Sequence, residues 1–195
     1  MIDNISFPII FQMFVLLNPM SSVPILLAAH RNKLDVRRIS MQAVLVAFAV
    51  AATVAVLGPV LFTAFSISVD SFRIAGGIVL LLLGIQTVRP VPRDISNVTE
   101  ADSISSLIAT PMLTGPATIS YITVKTIDFG RVAVVVNLTG AFVLVGIAFY
   151  VASRTISRIN VKIIDIISRI LGLFLTAVAI QMIANGIAGI IHSWV

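Results

Sequence analysis

The chain has 195 residues, of which 58% are hydrophobic and only 11% are charged, with a formal net charge of +5. A soluble domain typically carries about 25% charged residues, and so few charges cannot cover the surface of a soluble globule of this length. The composition therefore excludes an ordinary soluble enzyme, a disordered chain and a nucleic-acid binder, and it indicates that lipid surrounds most of the surface.

Taken in chain order, six apolar stretches are long enough to cross a bilayer as helices, which requires about 20 residues each. These predicted spans are 5–29, 41–65, 72–88, 104–124, 131–152 and 166–191. None alternates with a period of two, so a membrane β-barrel is not expected. The N-terminus has no basic stretch and no cleavage site of small residues, which predicts that the first span is not a removable signal peptide. We predict an all-α, polytopic membrane bundle whose only long polar loop is about 89–103.

The basic residues are distributed unevenly between the two sides of the predicted bundle. One side carries three, and the other carries the remaining ten of the 13 Lys and Arg residues. The three are Arg73, Lys125 and Arg131. The ten are Arg31, Lys33, Arg37, Arg38, Arg89, Arg93, Arg154, Arg158, Lys162 and Arg169. Because loops rich in Lys and Arg remain in the cytoplasm, we expect both termini to lie outside.

Two segments near the middle of spans 1 and 4 share a pattern. Residues 18–24 read Asn-Pro-Met-Ser-Ser-Val-Pro and residues 110–116 read Thr-Pro-Met-Leu-Thr-Gly-Pro, at an offset of 92. A second match, Arg-Ile-x-Gly, occurs at 73–76 and 169–172, at an offset of 96. Two matches in the same order indicate an internal repeat, and three spans in each half place the second half upside down, as in many secondary transporters. We predict one transmembrane domain over 1–195, with repeat one at about 1–90 and repeat two at about 104–195.

Each shared segment contains two prolines, Pro19 and Pro24 in span 1 and Pro111 and Pro116 in span 4. Proline has no N–H donor and clashes with the carbonyl four residues earlier, and the residue before it avoids the α region. The pairs therefore predict that helices 1 and 4 are broken, with the carbonyls of residues 15 and 20 released in the first. Unpaired backbone at this depth is tolerated only where protein buries it or where it lines a polar cavity.

Polar residues accompany both predicted breaks: Asn18, Ser21 and Ser22 in the first, and Thr110, Thr114 and Gly115 in the second. Helix N-termini attract anions, and released carbonyls accept hydrogen bonds from an ammonium group. A site with both properties suits a small zwitterion, so we predict that these six residues bind substrate at the midplane and that the four prolines shape the breaks. The alternative is a pair of kinked helices whose prolines serve packing only.

The other polar residues of the sequence give weaker indications of function. No Asp, Glu, Lys or His lies at the centre of a predicted span, which does not support a carboxylate relay for protons or an intramembrane catalytic dyad. Asp70, Asp128 and Asp165 are expected to be solvated, and Arg73 and Arg169 to reach the membrane interface. With no cysteine and two distant histidines, we expect no catalytic residue, no metal site, no cofactor and no enzymatic activity.

The two proline motifs resemble those of the MarC family of bacterial and archaeal integral membrane proteins. The usual family motifs are Asn-Pro-x-Gly-x-x-Pro and Pro-x-x-x-Gly-Pro-Gly, and this sequence has Ser21 and Ala117 at two of the glycine positions. The resemblance covers essentially the whole chain and implies an inner-membrane protein. Some members are described as transporters of small neutral amino acids such as glycine and alanine.

These observations together predict a secondary transporter of small neutral amino acids or similar metabolites in the cytoplasmic membrane. The alternative is a membrane channel or a non-transporting membrane scaffold. The expected partners are the lipid bilayer and a small zwitterionic substrate, and nucleic acid is not expected. A coupling ion and a homo-oligomer are both compatible with the sequence.

Overall fold

A computed structural model describes residues 5–89, 113–156 and 161–194, and these ranges are helical without any strand. The elements are α1 Phe7–Leu17, a 3-10 turn Pro19–Ser22, α2 Val23–Arg31, α3 Val36–Phe65, α4 Val69–Val88, α5 Pro116–Phe129, α6 Arg131–Thr155 and α7 Val161–Trp194. The prediction of an all-α chain is confirmed for these ranges.

Within the described ranges, five segments are long and apolar enough to cross a membrane. They are Phe7–Arg31, Val36–Val60, Val69–Val88, Arg131–Thr155 and Lys162–Ser193. They correspond to predicted spans 1, 2, 3, 5 and 6. Of predicted span 4, the structure describes only the part after residue 112, where α5 has 14 residues. The six-span count, the loop at 89–103 and the inverted repeat therefore stay predictions.

Two helices, α3 and α4, begin earlier than the predicted apolar stretches because polar residues cap them. Asp35 Oδ1 accepts hydrogen bonds from the backbone N–H groups of Arg37 and Arg38, at 3.0 and 3.1 Å. Ser68 accepts one from Ser71 N at 3.1 Å. Such side-chain acceptors satisfy N–H groups that have no partner inside a helix. α3 therefore starts at residue 36 and α4 at residue 69, rather than at the predicted 41 and 72.

The closest helix pair is α4 against α7, which run antiparallel. An ideal Cβ built on Gly77 would lie 3.0 Å from the carbonyl oxygen of Ala179, and one on Gly84 would lie 3.1 Å from that of Gly172. Small residues at these positions allow the two backbones to approach, as is common in membrane helix pairs.

Another part of the core lies along α3. Ala43, Ala47, Ala51 and Ala55 are fully buried at intervals of four residues, which places them on one face of the helix. α3 packs against α5 and α6, and Phe48 meets Phe142 of α6 edge to face, with centroids 5.4 Å apart. Large apolar side chains on the outer faces stay exposed, as expected where lipid is the solvent: examples are Leu45, Leu57, Val143, Ile147 and Leu173.

Candidate binding site at the helix break

The first predicted break lies where α1 ends. α1 stops at Leu17, and Asn18 has φ 42° and ψ 60°, which is the left-handed region. Asparagine is one of the few residues with a side chain that adopts this conformation readily, and the proline that follows keeps it out of the α region. The 3-10 turn over Pro19–Ser22 then leads into α2.

The carbonyl groups in this break are not free, which corrects one expectation. Asn18 N donates to the carbonyl oxygens of Phe14 and Val15, at 3.2 and 3.1 Å, and Val23 N donates to that of Met20. Hydrogen bonds from a backbone N–H group to the carbonyl oxygen three residues earlier replace the α-helical hydrogen bonds that proline removes. The carbonyls of residues 15 and 20 therefore have partners, and a cation would have to compete for them.

The side chain of Asn18 is the exceptional polar group in this segment. Its residue is 4% exposed, and its Oδ1 atom is buried without a hydrogen-bond partner in the described part of the chain. A buried acceptor without a partner costs about 1–3 kcal/mol, so such atoms are rare in native proteins. An unpaired oxygen at a helix break is therefore a candidate ligand contact.

The other predicted residues of the first break lie in the same turn. The Ser21 hydroxyl and backbone N both bond to the carbonyl oxygen of Asn18, at 2.8 and 3.1 Å. Ser22 is fully buried, but its side chain does not cap α2. The turn packs against α6 and α7. Pro19 is buried and shapes the break, whereas Pro24 is exposed in the first turn of α2, where its missing N–H costs little.

The described part of the second predicted break is arranged differently. Thr114 is buried, and its hydroxyl donates to the carbonyl oxygen of Ala47 in α3 at 3.1 Å. Gly115 is the N-cap of α5 with an extended backbone, and Pro116 follows as the first helical residue. The hydroxyl hydrogen of Thr114 is thus committed to α3. Thr110 and Pro111 lie outside the described residues, so a meeting of the two breaks stays a prediction.

A second polar cluster, which the sequence did not predict, lies where α4 begins and α5 ends; we call this side of the bundle the Arg73 end. The guanidinium of Arg73 bonds to Asp70, 2.6 Å away, and to Asp128. All three side chains are only 23–27% exposed. Asp70 and Asp128 lie at helix ends and keep part of their surface exposed, as expected, but they also pair with one partly buried arginine, which was not expected.

Another ion pair in the described part of the chain is more exposed. Arg169 bonds to Asp165 at 2.8 Å across one turn of α7, and the two side chains are 52% and 39% exposed. The i,i+3 spacing of Asp70 and Arg73 could have indicated their pairing. No local pattern could have indicated Asp128, which is 55 residues further along the chain from Arg73.

A cavity of about 100 Å³ lies beside this cluster, between α1, α4, α5 and α7. The Tyr121 hydroxyl donates to Gln12 Oε1 at 2.5 Å. The Lys125 ammonium lies over the rings of Tyr121 and Phe129, 5.5 and 5.1 Å from their centroids. The polar side chains that line the cavity are Gln12, Arg73, Tyr121, Lys125, Asp128, Gln181 and Asn185.

Comparison with known proteins places these features in a family. The model of a family described as "MarC family integral membrane protein" matches residues 4–191. The chain is 32% identical to a UPF0056 membrane protein of Methanocaldococcus jannaschii, over 91% of this chain and 93% of the relative. It is 29% identical to the UPF0056 membrane protein YhcE of Escherichia coli, over 94% of both chains. It is 24% identical to the UPF0056 membrane protein YvbG of Bacillus subtilis, over 93% of both. No solved structure matches.

Proposed function

Because this chain belongs to the MarC family of integral membrane proteins, we propose that it is a secondary transporter of small neutral amino acids or similar small zwitterions. The proposal places it in the cytoplasmic membrane, with the solute bound at the break between α1 and α2. The observation that carries the proposal is the buried, unpaired Oδ1 atom of Asn18. The protein would move its substrate without changing it chemically.

The chemistry of the break suits a zwitterion. The Oδ1 atom of Asn18 can accept a hydrogen bond from an ammonium group, and it has no competing donor among the described residues. α2 begins at Val23, one turn further along the chain. Val23 N already donates to the Met20 carbonyl oxygen and Pro24 has no N–H, so the positive end of the α2 dipole would attract a carboxylate without a hydrogen bond from these two residues. One end of the break therefore accepts a hydrogen bond from an ammonium group, and the other end attracts a carboxylate.

The packing of the helices supports two related halves that move against each other. α3 packs against α6, and α4 packs against α7, so helices at equivalent places in the two proposed repeats contact one another. Because Pro116 aligns with Pro24, α5 corresponds to α2; α5 packs against α3 and α2 packs against α6, which are also equivalent contacts. A pseudo-two-fold axis in the membrane plane would produce this pattern, and rocking of one half against the other would give alternating access.

Counterflow in proteoliposomes tests this function. The purified full chain is reconstituted, and uptake of radiolabelled alanine is compared with and without unlabelled alanine inside. A carrier is expected to take up label faster when internal alanine is present, because the loaded site reorients faster than the empty one. Uptake without this acceleration would favour the channel. Uptake no greater than that of protein-free liposomes, for alanine and for glycine, would favour the non-transporting scaffold.

A further inference from the structure

We propose that the cavity at the Arg73 end is a binding site for the carboxylate group of a small solute, with the Lys125 ammonium as its charged partner. The inference rests on the proposed function only for the role of the cavity. That role is to hold the transported zwitterion before the zwitterion reaches the Asn18 break. Carboxylate binding itself does not require that the protein transports anything.

The Lys125 ammonium has no direct ion-pair partner among the described residues, although the Asp128 carboxylate attracts it from a longer distance and the Arg73 guanidinium repels it. Asp70 and Asp128 both bond to the guanidinium of Arg73. Within the described ranges, no carboxylate lies within the 4.0 Å ion-pair distance of the Lys125 Nζ atom. Its recorded contacts are the faces of two aromatic rings, which stabilise a cation by about 0.5–2 kcal/mol. A half-buried ammonium with this environment would gain from an incoming carboxylate.

The neutral side chains of the cavity supply further hydrogen-bonding groups. Gln12 accepts from Tyr121 through Oε1, so its amide N–H groups are left to donate. Gln181 Nε2 donates to Asn185 Oδ1 at 2.9 Å, which leaves the Asn185 N–H groups and the Gln181 carbonyl oxygen. Donors of this kind satisfy a carboxylate, and an amide oxygen can accept from an ammonium group. The lining is therefore complementary to a small amino acid.

The position of the cavity fits a site that precedes the break. Gln12 is six residues before Asn18 on the same helix, which is about 9 Å along the axis. The cavity is on the side of the break towards the start of α1. One water molecule needs about 10–15 Å³ of cavity, so a cavity of about 100 Å³ has room for a ligand of a few heavy atoms.

Binding of acetate, glycine and ethylamine to the purified full chain tests the site. Acetate carries the carboxylate alone, and ethylamine carries the ammonium alone. We expect acetate to bind the wild type, Lys125→Gln to weaken acetate binding by about tenfold or more, and Lys125→Arg to restore most of it. Arg131→Gln is the matched control, because Arg131 is an exposed cation at the start of α6, and it should leave acetate binding unchanged. Equal acetate binding by the wild type and Lys125→Gln, or tighter binding of ethylamine than of acetate, would overturn the proposal.

A measurement on the wild type covers the case in which Lys125→Gln does not fold. Lys125 is modified with an amine-reactive reagent, and peptide mass spectrometry follows the rate. Acetate and glycine should slow the modification of Lys125 but not that of Lys33, which is exposed and distant in sequence. No protection by acetate would contradict the proposal.

If alanine counterflow occurs while acetate binding is independent of Lys125, only the cavity proposal fails. If acetate binding depends on Lys125 and counterflow is absent, only the transport proposal fails.

Discussion

Asn18 combines a left-handed backbone with a buried amide oxygen that has no partner among the described residues. The following proline keeps Asn18 out of the right-handed α region, asparagine tolerates the left-handed one, and a glycine would adopt it equally well. The amide oxygen has no such structural explanation. The two properties can therefore be separated by mutation, which distinguishes a ligand contact from a residue that only shapes the chain.

Replacing Asn18 by glycine should keep the break and remove the amide. We expect Asn18→Gly to lower the rate of alanine counterflow by about tenfold or more, with a melting temperature in detergent at or above that of the wild type. Asn18→Leu should abolish transport and also destabilise, because a left-handed residue with a bulky side chain costs about 1–2 kcal/mol. Thr53→Val is the control, since the Thr53 hydroxyl is exposed and bonds only within its own helix. Wild-type transport by Asn18→Gly would remove Asn18 from the site.

The ion pairs of Arg73 and of Arg169 provide a comparison at the same scale. Asp128→Asn removes one of the two carboxylates from a partly buried guanidinium. It should lower the free energy of unfolding by about 1–3 kcal/mol, the value of a hydrogen bond to a charged group and of its desolvation. Asp165→Asn breaks a more exposed pair and should cost about 0–1 kcal/mol. Unfolding in detergent measures both, and equal effects would show that the Asp128 pair is no more buried in solution than the Asp165 pair.

The helices show which local features a sequence can predict. The predicted span 131–152 matches α6 at Arg131–Thr155, because Gly130 ends one helix and a mainly apolar sequence follows it. The helix break at Asn18 also follows from local chemistry, since it depends on the adjacent proline. The pairing of Arg73 with Asp128 and the lining of the cavity by four helices depend on tertiary packing, which a linear pattern does not contain.

The glycines of α4 belong to this second group, and their role is testable. A Cβ at Gly84 would lie 3.0 Å from Thr176 N and 3.1 Å from the Gly172 carbonyl oxygen. Because these atoms are backbone, Gly84→Ala must separate α4 from α7, and we expect a loss of about 1–3 kcal/mol in the free energy of unfolding. Gly146→Ala in α6 is the control: nothing lies within 4 Å of its Cβ position, so it should be neutral or stabilise by about 0.5–1 kcal/mol. Equal effects of the two substitutions would contradict close packing of α4 on α7.

At the scale of the whole molecule, the cavity and the Asn18 break lie one after the other along the bundle. α1 and α4 begin at the Arg73 end, and α5 and α7 finish there, since Asp70 and Ile74 lie beside Gly186 and Arg73 bonds to Asp128. The cavity is at this end, and the Asn18 break is deeper along α1. If the basic loops face the cytoplasm, the proposed carboxylate site opens outside and the break lies between it and the cytoplasm.

This orientation can be measured directly because the natural chain contains no cysteine. Ile67→Cys and His192→Cys introduce exposed thiols at the Arg73 end, and Asn32→Cys and Arg154→Cys introduce exposed thiols at the opposite end. A membrane-impermeant maleimide should label the first two in intact cells and the second two only after permeabilisation. The wild type is the unlabelled control. The opposite labelling would invert the topology and place the carboxylate cavity on the cytoplasmic side, so that it would receive solute for export rather than for uptake.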